Sequence, residues 1–180
     1  MTKNILIFKA EISPKSVSTF IGWVAGQMNS GMNNLDLAIS STGGTVTEGV
    51  TMMNCLKALP FPVTAHNIGC VGSIAVPIFA ACANRRANPH SWFIFHGSGM
   101  AISARQDEAL LRVNLKNVEA NNRLITKVIA ENSNISEDAC SKMMEFETSR
   151  PSTWAHEKGL VQEIAEFSIP SGSKVFHLTD

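Results

Sequence analysis

The chain of 180 residues carries no excess charge, with 15 Lys and Arg against 15 Asp and Glu. That balance excludes bulk attraction to nucleic acid or to anionic membrane surfaces as the basis of function. No apolar run is long enough to cross a bilayer. The short stretch Ile5-Leu6-Ile7-Phe8 is broken by Lys9 and Glu11 and lacks a small-residue cleavage site, so it reads as a first strand and not as a signal peptide. Cysteine is scarce: Cys55, Cys70, Cys82 and Cys140 lie far apart, without a Cys-x-x-Cys pair. Zinc-site spacing is thereby excluded and a disulfide framework disfavoured, whereas reduced, packed thiols in a cytoplasm fit the pattern. There is no internal repeat, low-complexity tract or linker. The length suits a single domain whose core folds without staples.

What is present alternates. Ser13-Pro14 opens an amphipathic helix carrying Val17, Phe20, Ile21, Val24 and Met28, stopped near Gly31. Residues 35–40 read as a buried strand, 45–59 as a helix and 63–68 as another strand. The small and apolar residues from Ala75 to Ala83 suggest a helix buried nearly all round, with Asn84-Arg85-Arg86 capping its C-terminal end. Trp92-Phe93-Ile94-Phe95-His96 is a short aromatic strand. Repeated strand and helix imply crossover units and an α/β fold with a mainly parallel, covered sheet.

Residues 105–131 form a different element, a long helix with an apolar stripe at Leu111, Leu115, Val118, Ile125 and Ile129. At 1.5 Å per residue it runs ~40 Å, more than twice the ~16 Å radius of gyration expected for this chain length. It should therefore project from the body and pair with another copy of the chain. The alternative is a helix broken near Asn121-Asn122 that folds back. Helices are expected again at 136–146 and 151–158. The expected layout is a body of residues 1–100 and 132–167, a projecting segment of 101–131 and an irregular tail of 168–180.

Three features carry chemistry. Ser73 follows the turn Gly69-Cys70-Val71-Gly72 at the expected start of a helix, where free N–H groups favour negative charge. A serine hydroxyl needs a base within reach and donors aimed at the developing oxyanion. His96 ends an apolar strand and is the candidate base; His66, His90, His156 and His177 lack a comparable setting. Gly43-Gly44 lets a substrate strand approach the backbone. Read singly, Ser73 is a helix N-cap, His96 a satisfied core histidine and Gly43-Gly44 a turn needing positive φ. Read together they describe a serine hydrolase, although Val71 and Ala75 exclude the Gly-x-Ser-x-Gly elbow.

The stretches Ser41-Thr42-Gly43-Gly44-Thr45-Val46-Thr47-Glu48-Gly49, Gly72-Ser73-Ile74-Ala75 and Phe93-Ile94-Phe95-His96-Gly97 resemble the proteolytic subunit of the ATP-dependent Clp protease, ClpP, and its shorter phage-type relatives. The long helix and Ala155-His156-Glu157-Lys158-Gly159-Leu160-Val161 resemble the later part of that family. The resemblance implies a ClpP/crotonase-like fold, a Ser73 nucleophile, a His96 general base and oxyanion donors from the backbone of Gly44 and Ile74. It implies that the body is the family's head and the projecting segment its handle, with endopeptidase activity on peptides or unfolded polypeptides inside a ring or stacked double ring joined through the handle. An AAA+ ATPase unfoldase is the implied partner, and the chemistry requires no metal or organic cofactor.

The triad acid is where the chain departs from the family. Counting back from Gly159-Leu160 gives Glu147 in place of the usual Asp, and counting forward from His96 gives Glu145. Glu147, followed by Thr148 as in phage-type relatives, is the preferred assignment. The segment Gly97-Ser98-Gly99-Met100-Ala101 is short and lacks the usual Gln-Pro, and the chain starts at its first strand without the family's longer N-terminal axial segment. Two other readings are a non-catalytic ring subunit and a crotonase-type acyl-CoA enzyme.

Overall fold

The computed structural model describes residues 2–102 and 104–180. After strand β1 (Asn4–Lys9), Ser13 caps helix α1 (Pro14–Asn29): the Ser13 hydroxyl accepts from the Ser16 N–H, and the Ser16 hydroxyl accepts from the Ser13 N–H. Pro14 occupies the first turn, where a missing N–H costs nothing. Val17, Phe20 and Val24 share one face of this helix and are buried. The chain continues through β2 (Leu35–Ser41), α2 (Val46–Lys57), β3 (Val63–Gly72), α3 (Ala75–Ala80), β4 (Asn84–Ala87) and β5 (Trp92–Phe95). Then follow α4 (Glu108–Glu131), α5 (Glu137–Glu145), β6 (Thr148–Pro151), α6 (Ser152–Glu157), β7 (Glu163–Ile164) and β8 (Lys174–Thr179).

The eight strands make one sheet in the order β6-β5-β3-β2-β1-β8, with β4 paired to β3 and β7. Every pairing is parallel except β5 with β6, so the expected α/β fold with a mainly parallel sheet is the one that forms. Strand β3 forks the sheet: residues 64–67 run beside β4, and residues 70–72 run beside β5. Phe8, Leu37, Ile39, Phe79 and Phe93 lie fully buried between the sheet and its helices, and the Phe79 and Phe93 rings meet edge-on at 5.2 Å between centroids. Burial also pushes the Cys82 and Cys140 thiols up to about 12, as expected of packed, inert cysteines.

The structure corrects the sequence reading in four places. The helix after Ser73 has only 6 residues, and Asn84-Arg85-Arg86 does not cap it but begins β4. Long-range partners make that strand: the Arg85 N–H donates to Gln162 Oε1, its guanidinium reaches the carbonyls of Cys82, Asn132 and Leu160, and Arg86 pairs with Glu163. β3 runs on to Gly72, because its second half has β5 as a partner. The tail expected to be irregular contains β8, which lies parallel to β1 at the sheet edge with Leu178 buried. Last, the long helix starts at Glu108, not Arg105, because the Asp107 carboxylate caps it by accepting from the Leu110 N–H.

Helix α4 has 24 residues, ~36 Å at the usual rise, and runs without a break through Asn121-Asn122. Its halves differ. Leu110, Leu111, Val113 and Leu115 are exposed, whereas Ile125, Thr126 and Ile129 are buried against α3 and α5.

Candidate active site

The chemistry-bearing residues gather where parallel strands end. Gly43-Gly44 follows β2, Ser73 follows β3 and His96 follows β5, so all three reach the carboxyl edge of the sheet, the edge at which open parallel sheets bind ligands. The N-terminal end of antiparallel β6 comes to the same edge and brings Glu147 with it.

Ser73 is buried, 7 % exposed, and holds a left-handed backbone conformation with φ 52°. Such a conformation is strained for a residue with a side chain and persists only where the surroundings impose it. Here the Ser73 N–H donates to the Ile94 carbonyl at 2.9 Å, and the Ser73 carbonyl accepts from Val76 N–H at 3.0 Å. Gly43 gives the elbow its room: a Cβ there would stand 2.5 Å from Ser73 Cβ. The adjoining Gly44, at φ 146°, lies against the Ile12 backbone, bracketed by bonds from Ile12 N–H to the Gly43 carbonyl (2.8 Å) and from Thr45 N–H to the Ile12 carbonyl (2.7 Å). Among the described residues the N–H groups of Gly44 and Ile74 donate to no acceptor. Two donors with nothing to bind therefore flank a strained serine.

Ser73, His96 and Gly44 line one cavity of ≈ 620 Å³, together with Glu11, Thr45, Val46 and Thr47 on one side and Ser98, Met100 and Asn121 on the other. Among the described residues no hydrogen bond joins Ser73 Oγ to the His96 ring; the His96 Nδ1 is instead 2.9 Å from the Gly97 carbonyl oxygen. The two candidate acids separate. The β5–β6 ladder ends at the pair Phe95–Thr148, so His96 and Glu147 are the next residues beyond it, and Glu147 turns there with φ 47°. Glu145, on α5, lines a different cavity of ≈ 290 Å³ behind Gly97. Both carboxylates are exposed, and neither bonds to the ring. A thiol lies close by, since Cys70 lines the cavity on the far side of the Gly43-Gly44 turn, but burial raises its pKa and disfavours a competing thiolate. Among the described residues no three His, Cys, Asp or Glu side chains converge to hold a metal ion. No helix among them is long and apolar enough to cross a membrane.

A forked, mainly parallel sheet with a long lateral helix is the architecture of the ClpP proteins. A point mutant of ClpP1 from Listeria monocytogenes superposes with a TM-score of 0.80 over 91 % of this chain and 92 % of that one, at 20 % identity. The ClpP protease catalytic domain from Plasmodium falciparum superposes with a TM-score of 0.76 over 93 % and 87 %, at 18 % identity. In sequence, residues 2–168 match the model of the Clp protease family, and the chain belongs to that family. A curated relative, the ATP-dependent Clp protease proteolytic subunit 1 of Streptomyces avermitilis, is 23 % identical over 135 residues. That match takes in 74 % of this chain and 61 % of the relative, so the chain spans less than two thirds of the relative's length.

Proposed function

We propose that the chain is a serine endopeptidase that cleaves peptides or unfolded polypeptides inside a ring of its own copies. Ser73 Oγ attacks the scissile carbonyl carbon while His96 Nε2 takes the hydroxyl proton. The N–H groups of Gly44 and Ile74 hold the resulting oxyanion. The C–N bond then breaks, the amine leaves with the proton from His96, and the acyl group stays on Ser73. Water, deprotonated by His96, attacks the ester, and Ser73 leaves with its proton restored. Glu147, next to the end of the β5–β6 ladder as His96 is, stabilises the imidazolium that exists between these transfers. The exposed leucines of α4 are the contact between subunits, and an ATP-dependent unfoldase supplies unfolded chains.

The observation that carries this reading is the strained Ser73 elbow, buried beside two unengaged N–H groups and sharing its cavity with His96. Strain at a polar residue with idle donors around it is what an acyl-transfer site stores in advance. The experiment is fluorophosphonate labelling of wild type and Ser73→Ala, read as intact mass after denaturation. One adduct on wild type and none on the variant is expected. Equal labelling of both would move the nucleophile elsewhere. The absence of a Ser73–His96 bond and of a carboxylate on the ring supports a second reading, a non-catalytic ring subunit; no adduct on the assembled wild type, with or without an unfoldase, would establish it.

A further inference from the structure

The segment after His96 contains a chain of hydrogen bonds that the mechanism above leaves unused. His96 Nδ1 lies 2.9 Å from the Gly97 carbonyl oxygen. A carbonyl oxygen only accepts, so this contact requires the proton on Nδ1 and leaves the free pair on Nε2. The N–H of the same peptide unit, that of Ser98, donates to Asn122 Oδ1 at 2.8 Å. The Ser98 hydroxyl lies 2.8 Å from the same oxygen and 3.2 Å from the Val118 carbonyl one turn earlier on α4. One peptide group is thus held at both ends, by the ring at its oxygen and by α4 at its nitrogen. Dipoles aligned in this way strengthen one another. The preceding peptide is pinned too, through Gly97 N–H to the Met144 carbonyl at 3.1 Å.

We infer that Asn122 is a positioning residue for His96: by fixing the Gly97–Ser98 peptide it selects the Nδ1–H tautomer and keeps Nε2 as the basic nitrogen. The carboxylates that surround the ring leave this task open. Glu11 lines the same cavity, Glu145 lies behind Gly97 and Glu147 stands across the β5–β6 pair, yet none of the three bonds to the imidazole. In the isolated chain the orienting group is a backbone carbonyl, and its anchor is a side-chain amide on the handle. The catalytic consequence rests on the proposed peptidase reading; the tautomer itself does not.

The test compares wild type with Asn122→Leu, which removes the acceptor at similar volume, and Asn122→Asp, which keeps an acceptor oxygen. Magic-angle-spinning 15N NMR of ring-labelled histidine, insensitive to the size of an assembly, reports which nitrogen of His96 carries the proton at pH 8. His96→Gln assigns the signal. Wild type and Asn122→Asp are expected to show Nδ1–H, and Asn122→Leu a majority of Nε2–H. Peptide turnover should fall about 10-fold or more in kcat for Asn122→Leu, with KM changed less than about twofold and most of the rate restored in Asn122→Asp. If Asn122→Leu does not fold, Asn122→Ala takes its place. A ring that stays Nδ1–H without the acceptor, or Leu and Asp variants that behave alike, would overturn the inference. A wild type that neither labels nor cleaves counts against the peptidase reading instead, while the NMR still decides the role of Asn122.

Discussion

The serine half of the site and the histidine half are built from different materials. Ser73, Gly43, Gly44 and Ile74 sit at strand ends and are held mainly by backbone, with bonds to β5 and to the Ile12 segment, and by Gly43 N–H donating to Ser41 Oγ. His96 and Glu147 sit at the end of a short edge pair, half-buried and exposed respectively, and the segment that holds His96 is tied mainly to α4 and α5. The first half needs no partner to take its shape. The second depends on a helix whose outer half presents leucines to solvent. On the proposed peptidase reading, the oxyanion donors would be ready in every chain, and the alignment of the base would respond to what covers the handle.

The sharpest way to break the first half is Gly44→Ala. A side chain at φ 146° costs about 1–3 kcal/mol on its own, and its Cβ would collide with the Ile12 carbonyl, a backbone group that cannot swing aside. The expected loss is about 3 kcal/mol or more, a fall in Tm of roughly 6–12 °C. Gly22→Ala is the matched comparison, because Gly22 lies on α1 with nothing within 4 Å of its would-be Cβ; it should gain about 0.5–1 kcal/mol. Equal responses in differential scanning calorimetry would mean that the Gly44 turn is not braced as described.

The second half is broken more gently. Glu147→Gln should lower kcat by about 10- to 100-fold with Tm unchanged, less than a fully buried triad carboxylate would cost, since the ring already has an orienting partner in Gly97. Glu145→Gln should change kcat by less than about twofold. The reverse ranking, read from initial rates on a fluorogenic peptide, would transfer the acid to α5.

The same division decided what could be read before the structure. α1, α2, β1, β2 and β5 announce themselves through apolar period and through Ser13-Pro14 and Gly31, so Ser73, His96 and the Gly43-Gly44 turn could be placed at strand ends. The run from Ala75 to Ala83 carries no period that separates helix from strand, and β4 forms through pairing with β3 and β7, reinforced by Arg85 and Arg86 partners far along the chain. β6 is four residues ending in proline, too short to signal, yet its pairing with β5 ends beside Glu147 and His96. β8 did leave a trace: Phe176 and Leu178 alternate with exposed Val175, a pattern hidden by the Pro170-Ser171-Gly172-Ser173 stretch before it. Asn122 could not be found by any pattern, because it acts through a peptide bond 24 residues away in sequence.

The smallest effect expected on the isolated chain concerns the outer half of α4. Leu111 and Leu115 are 48 % and 59 % exposed, so replacing both with Ser removes little buried surface. Chain stability at a concentration too low for assembly should shift by only about 0.5 kcal/mol, as for other surface changes. Association should nevertheless be lost. These residues form one stripe, four apart, on the part of the helix that stands clear of the buried Ile125 and Ile129 segment, and an apolar stripe of that kind is stable in water only when another surface covers it. Sedimentation velocity should show wild type as a large assembly and Leu111→Ser/Leu115→Ser as a much smaller species. If the two sediment alike, the handle is not what joins the subunits. If the variant dissociates and its kcat falls while fluorophosphonate still labels Ser73, the histidine half is the one that assembly completes.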